Sequence, residues 1–200
     1  MKDKFFNKVI KIIKSNNDVS SEQLEIIIYG LEAIYLTITK LVIVFILSYL
    51  LGIIKETFFT LFFYNFIRLF AFGMHAKKSS HCLIFSIIFF VLIPFFISLI
   101  SIHPLIKIIF GIILFILIII YAPADTEKRP LINKKKRIRF KILSIISSLI
   151  LLCLIIYYRD NNISSYMFIG FITSCVVILP ITYKIFGLPY NNYKTYKEVW

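Results

Sequence analysis

Leu105-Ile106-Lys107-Ile108-Ile109-Phe110-Gly111-Ile112-Ile113-Leu114-Phe115-Ile116-Leu117-Ile118-Ile119-Ile120-Tyr121 carries a single charge. As a helix rising about 1.5 Å per residue, it comes close to crossing the roughly 30 Å hydrocarbon core of a bilayer. It is apolar on every face, so no side of it is marked for water. Working outward, five further runs approach this length, at 33–54, 57–72, 82–102, 142–158 and 164–186. The run at 57–72 is short; it reads as a span that thins the bilayer or as a re-entrant segment. Pro94 and Pro180 fall inside runs and are expected to kink them.

Composition agrees with that reading. Of 200 residues, 60% are hydrophobic and 16% charged, against roughly half and a quarter in soluble domains. Mean hydropathy is +0.89. These values exclude a disordered tail, a collagen-like fibre and a disulfide scaffold. The expected architecture is an all-α polytopic membrane protein of about six transmembrane helices, one domain over 1–200. Residues 1–18 are expected to add an amphipathic surface helix, because Phe5, Phe6, Val9, Ile10 and Ile13 recur at helical spacing among Lys4, Lys8 and Lys11. A frayed basic tail is the plainer alternative. Residues 19–200 form the helical bundle, opened by a capping-box pattern at Ser20 and Gln23. The lysine-rich start lacks a long apolar core and does not read as a cleavable signal peptide.

The net charge of +13 is explained by where it lies. Basic residues crowd before the first run, between the second and third, between the fourth and fifth, and after the sixth. The loops of the other side hold only Lys55 and Arg159. Positive loops stay cytoplasmic, so both termini are expected in the cytoplasm and no nucleic-acid partner is expected. Lys40 and Lys107 read as snorkelling side chains, and His103 as a solvated loop residue.

The densest polar cluster beside a run includes Arg68, Gly73, His75, Lys77, Lys78, His81 and Cys82. The thiolate, not the thiol, is the nucleophile. Three features favour an anion at Cys82: a nearby histidine, the cations of Lys77 and Lys78, and the start of a helix. On one continuous helix His75 and Cys82 would lie about 10.5 Å apart along the axis, too far to touch. They meet only if the backbone breaks between them, and Gly73 and Ser79-Ser80 offer places to bend. His81 is adjacent to Cys82 and would point elsewhere, so His75 is the favoured base. The plain alternatives are a packing thiol with solvated histidines, and a metal site on His75, His81 and Cys82, which lacks a fourth ligand. Arg68 reads as an anchor for a substrate carboxylate or carbonyl, or as a residue snorkelling to phosphates. Cys153 and Cys175 read as packing thiols. A second segment, Tyr121-Ala122-Pro123-Ala124-Asp125-Thr126-Glu127-Lys128-Arg129-Pro130, is an ordered loop by its prolines. The basic stretch after it at 134–137 would attract an acidic peptide or anionic lipid, or serve topology alone. Asp125 or Glu127 could orient a histidine.

On these residues the chain resembles the accessory gene regulator protein B (AgrB) family: Arg68, then Gly73-Met74-His75-Ala76, then Cys82, then the loop at 121–130. That family often has two glycines before the histidine; here Phe72 precedes Gly73. The resemblance implies a bacterial multi-pass membrane cysteine endopeptidase of quorum sensing, without cofactor or metal, acting as a homodimer. Its substrate would be an AgrD-type precursor with an amphipathic leader, a signal segment and an acidic tail. Cys82 would be the nucleophile and His75 the base, releasing the tail and promoting closure of a thiolactone or lactone. Substrate contacts are expected from Arg68, Gly73, Lys77, Lys78, Asp125, Glu127, Lys128, Arg129, Lys134, Lys135, Lys136 and Arg137, and the membrane lipid is a further partner. A small six-span transporter or peptide exporter is the alternative. It would need coupled polar residues near the bilayer midplane, where the runs offer few.

Overall fold

The computed structural model describes residues 21–74, 79–126 and 130–196. The expected surface helix at 1–18 and Ser20 of the capping box lie outside them. The described chain is helical: α1 (Ser21–Leu50), α2 (Ile54–Ala71), α3 (Ser79–Ile87), a π-helical segment (Ile88–Leu92), α4 (Ile93–Leu99), α5 (Pro104–Tyr121), α6 (Lys134–Tyr157), α7 (Asn162–Val176), α8 (Pro180–Ile185) and a 3-10 turn (Asn192–Thr195). The chain divides into two units, Met1–Ile43 and Val44–Trp200. In the first, Thr39 Oγ1 donates back to Tyr35 O at 2.9 Å, within α1. All that follows concerns the second.

Among the described residues, three stretches of helix are long and apolar enough to cross a membrane: Ser80–Leu99, Pro104–Tyr121 and Lys134–Tyr157. Ile34–Leu50 and Asn162–Val176 are apolar but shorter. The single run expected over 164–186 is two helices. Pro180 does more than kink it: the chain leaves helix at Val177, and Pro180 opens α8 at its first turn, where a missing N–H costs nothing. Pro94 behaves differently. It has no N–H to offer the carbonyl four residues back, that of Phe90. The buried Thr57 hydroxyl of α2 donates to that carbonyl at 2.8 Å, so the freed acceptor is satisfied by a neighbouring helix. The π-helical segment lies just before it, with Ile93 N–H donating to Ile88 O.

Helices α6 and α7 each pack against α2, against α5 and against one another, and α2 with α7 is the most extensive pairing. Apolar burial does not drive helix pairing in lipid, so close approach and interhelical hydrogen bonds carry it. Small residues make that approach possible. A Cβ at Gly170 of α7 would stand 2.9 Å from Thr60 O and 3.0 Å from Tyr64 N of α2. One turn on, Ser174 Oγ donates to Gly170 O at 2.7 Å and reaches Tyr64 O at 3.2 Å. On α6, Ser144, Ser147, Ser148, Leu151 and Ile155 are buried. The outward faces are apolar instead: Ile106, Ile109, Phe110, Ile113, Ile116 and Ile120 of α5 are all exposed. That inside-out distribution suits a surface met by lipid.

Lys107 departs from expectation. It is 3% exposed, and Nζ donates to Arg159 O and Ser164 Oγ, each at 2.6 Å. Instead of snorkelling, it satisfies a carbonyl beyond the C-terminus of α6 and a hydroxyl in the first turn of α7, because a buried ammonium needs acceptors. His103 is exposed, as read, and caps α5 through Nδ1, which accepts from Leu105 N–H at 3.3 Å.

Gly170→Val is expected to destabilise the bundle by about 1–3 kcal/mol, since the added methyls must displace backbone of α2. Thermal unfolding in detergent, followed by circular dichroism, reads the effect. An unchanged transition would show that α2 and α7 do not approach this closely.

Candidate active site

One end of the bundle gathers the C-terminal ends of α2, α5 and α7 and the N-terminal ends of α3 and α6. The link between α2 and α3 organises it. Ala71 ends α2, and the next two residues take positive φ: 58° at Phe72 and 114° at Gly73. For Phe72 that conformation is strained by about 1–3 kcal/mol. Its ring packs edge-on against Phe140 of α6, with centroids 4.8 Å apart. Gly73 is required twice over. Its φ favours glycine, and a Cβ would stand 2.8 Å from Val177 Cγ2 and 2.9 Å from Val177 O.

Backbone hydrogen bonds grip this link from two sides. Gly73 N–H donates to Ala124 O at 3.0 Å and Ala124 N–H to Ala71 O at 2.9 Å, a one-residue β-bridge to the 122–126 loop. Met74 N–H donates to Val177 O at 2.9 Å, just beyond α7. From the last turn of α2, Arg68 Nη2 donates to Met74 O at 3.1 Å. The same guanidinium lies 5.2 Å from the Tyr64 ring centre. It is also close enough to Cys82 and Tyr183 for charge on either to attract it. Cys82 sits at the fourth residue of α3, half-buried. Ser86 Oγ donates to its carbonyl at 2.9 Å, and His81 beside it is exposed.

Arg68, Gly73 and Cys82 are therefore brought together, with α3 starting afresh at Ser79. His75, Lys77 and Lys78 lie outside the described residues, as do Glu127, Lys128 and Arg129. The metal reading thus has His75 outside; among the described residues no three metal-ligating side chains gather. The residues at 134–137 form the first turn of α6, capped by Asn133, whose side chain accepts from Lys136 N–H at 3.0 Å. Lys135 and Lys136 are exposed, Lys134 and Arg137 half-buried. Cations at a helix N-terminus oppose its dipole, so local helix stability does not account for them. Arg137 lies 4.0 Å from the Tyr193 ring centre and its Nη1 reaches Leu131 O at 3.4 Å.

Asp125 is buried, and its carboxylate accepts N–H groups from Leu131, Asn192 and Tyr193. The C-terminal contributors were not singled out from sequence. Tyr183 had been read as part of a continuous span, yet its hydroxyl donates to Asp125 O at 2.9 Å. Tyr190 packs edge-on against Tyr183 at 5.1 Å. Its phenol is pushed up by burial first, then by neighbouring Tyr121, Tyr193 and Asp125. A buried phenol needs a hydrogen-bond partner, and that was the one available signal for Tyr183. Cys175 is buried, with Sγ 3.5 Å from Leu114 O, and Cys153 is exposed.

The fold and this end of it define a helical membrane protein whose half-buried thiol shares an arginine with a braced, positive-φ link. Residues 6–179 match the family described as accessory gene regulator B. An AgrB-like protein from Clostridium acetobutylicum is 34% identical over 188 residues, covering 93% of this chain and 90% of the relative. An AgrB-like protein from Listeria innocua is 32% identical over 171 residues, covering 84% and 83%. Accessory gene regulator protein B of Staphylococcus aureus is 30% identical over 181 residues, covering 88% and 94%. No solved structure matches the chain. The chain belongs to the accessory gene regulator B family. That family is membrane-associated and works with the AgrD precursor in accessory gene regulator quorum sensing.

Gly73→Ala is expected to loosen the link by about 1–3 kcal/mol while leaving the helix pairing intact. Hydrogen–deuterium exchange reads it as faster exchange at residues 73 and 74. Unchanged protection there would mean that Val177 yields without cost.

Proposed function

We propose that this chain is a membrane cysteine endopeptidase that removes the C-terminal tail of an AgrD-type precursor and promotes closure of the remaining signal segment. The observation that carries the reading is Arg68. One guanidinium is hydrogen-bonded to Met74 O, the carbonyl immediately before His75, and is within charge range of Cys82.

His75 takes the thiol proton, and Cys82 Sγ attacks the carbonyl carbon at the end of the signal segment. As the carbonyl oxygen gains charge, the Arg68 guanidinium stabilises it in this reading. The C–N bond breaks, the imidazolium returns its proton to the leaving amine, and the acidic tail departs. A thiol or hydroxyl within the signal segment then attacks the thioester, freeing Cys82 and closing a thiolactone or lactone. For a thiol this exchange is near balance, because one thioester replaces another. Departure of the tail draws it forward, and exclusion of water protects the acyl-enzyme.

Lys134, Lys135, Lys136 and Arg137, with Lys77, Lys78, Lys128 and Arg129 beside the same loops in sequence, form the tail-binding surface in this reading. Each exposed pair contributes roughly 1 kcal/mol or less, so the cluster acts as a group. Gly73 contributes by admitting the tight link. The basic end faces the cytoplasm with both termini, in a multi-pass bacterial membrane protein that works as a homodimer. The leader rests on lipid and presents its peptide bond at that depth.

Cys82→Ala and His75→Ala are expected to abolish tail removal on co-expression with a precursor, with the protein still membrane-inserted, whereas His81→Ala retains substantial activity. Mass analysis for a lost tail and a lost water reads all three. Normal cleavage by Cys82→Ala would refute the mechanism. Replacing residues 134–137 together with Gln is expected to raise KM for the precursor, more at low ionic strength. An unchanged KM in low salt would leave that turn a purely topological signal.

A further inference from the structure

Asp125 is 3% exposed. Its Oδ1 accepts from Asn192 N–H at 3.0 Å, and its Oδ2 from Tyr193 N–H at 2.8 Å and Leu131 N–H at 3.3 Å. The backbone donors thus come from the far side of its own loop and from the 3-10 turn Asn192–Thr195, 67 residues further along the chain in the case of Asn192. The backbone of the same loop is held as well. The buried Tyr183 hydroxyl donates to Asp125 O at 2.9 Å and reaches Ala124 O at 3.4 Å. Ala124 is in turn the residue that exchanges hydrogen bonds with Ala71 and Gly73. A short series of directed bonds therefore runs from the C-terminal turn through Asp125 and Ala124 to the residues that precede His75.

We propose that Asp125 and Tyr183 are positioning residues for the peptide-processing chemistry. They fasten the C-terminal turn and the 122–126 loop into a clasp, and the clasp sets where the 72–74 link delivers His75 relative to Cys82. This rests on the reading of Cys82 and His75 as the reacting pair. Asp125 then acts on the chain itself, not on the precursor. A carboxylate is required because all its partners are donors. An asparagine amide has only one acceptor oxygen, so its NH2 faces an N–H whichever way it turns. Misplacing a reacting group by about 1 Å can cost roughly a hundredfold in rate.

The test measures precursor cleavage in detergent by full-length Asp125→Asn and Tyr183→Phe, with Cys82→Ala alongside. Asp125→Asn is expected to lower kcat roughly tenfold to a hundredfold, and Tyr183→Phe several-fold, with KM changed less than about threefold. The rising limb of kcat/KM against pH should also move to higher pH, because a thiol that has lost its imidazole ionises later. A variant that merely folds less completely would lower the amount of active protein without moving that limb. Unchanged kcat in both variants, a fall in kcat with the limb unmoved, or a rise confined to KM would each overturn the clasp. If Asp125→Asn does not fold, Tyr183→Phe decides alone. If Cys82→Ala cleaves normally, the reacting pair itself is wrong. An inactive Cys82→Ala beside unimpaired positioning variants would sink only the clasp.

Discussion

The whole candidate site depends on holding residues 72–74 out of helix. Left to itself, the chain here would gain by continuing α2, because each further helical residue adds a backbone hydrogen bond. Two residues at positive φ, one of them a phenylalanine, make the break costly. The cost is offset by partners supplied from three other places: Ala124, Val177 and the Arg68 side chain. Arg68 is local, but Ala124 and Val177 lie far along the chain, so the break depends on the packing that brings the ends of α5 and α7 to the end of α2. Strain of this kind persists where the surroundings over-determine it.

Much of the bundle is legible in hydropathy. Runs too apolar to face water must lie in lipid or protein, and the order of α2 to α7 follows from them. The ends of helices are less legible. Pro94 and Pro180 look alike inside apolar runs. Yet Thr57 rescues the carbonyl freed by Pro94 and the helix continues, while Pro180 begins a new one. The difference lies in a neighbour brought from elsewhere in the chain, which local pattern does not contain. Lys107 was misread for the same reason: snorkelling is the rule for an isolated helix, but here α6 and α7 bring acceptors to the ammonium.

The candidate site divides in the same way. Arg68, Gly73 and Cys82 stand out because a charge, a glycine and a thiol are unusual beside apolar runs. Tyr183, Asn192 and Tyr193 do not, since they act largely through a single hydroxyl and two backbone amides. Backbone donors have no sequence signature. Asp125 was noticed for its charge, but its three amide partners could be seen only in the fold.

The π-helical segment has a further consequence for the thiol. One extra residue in a turn rotates everything beyond it by about 100° around the axis. The stretch from Ser79 to Ile87 is therefore out of phase with the stretch from Ile93 to Leu99. The proline-bearing half is indexed by its neighbour α2 through the Phe90 carbonyl. The cysteine-bearing half is thereby turned about 100° from where an unbroken helix would set it. A membrane helix that would otherwise present one face along its length instead presents two, offset by a fixed angle at a single widened turn.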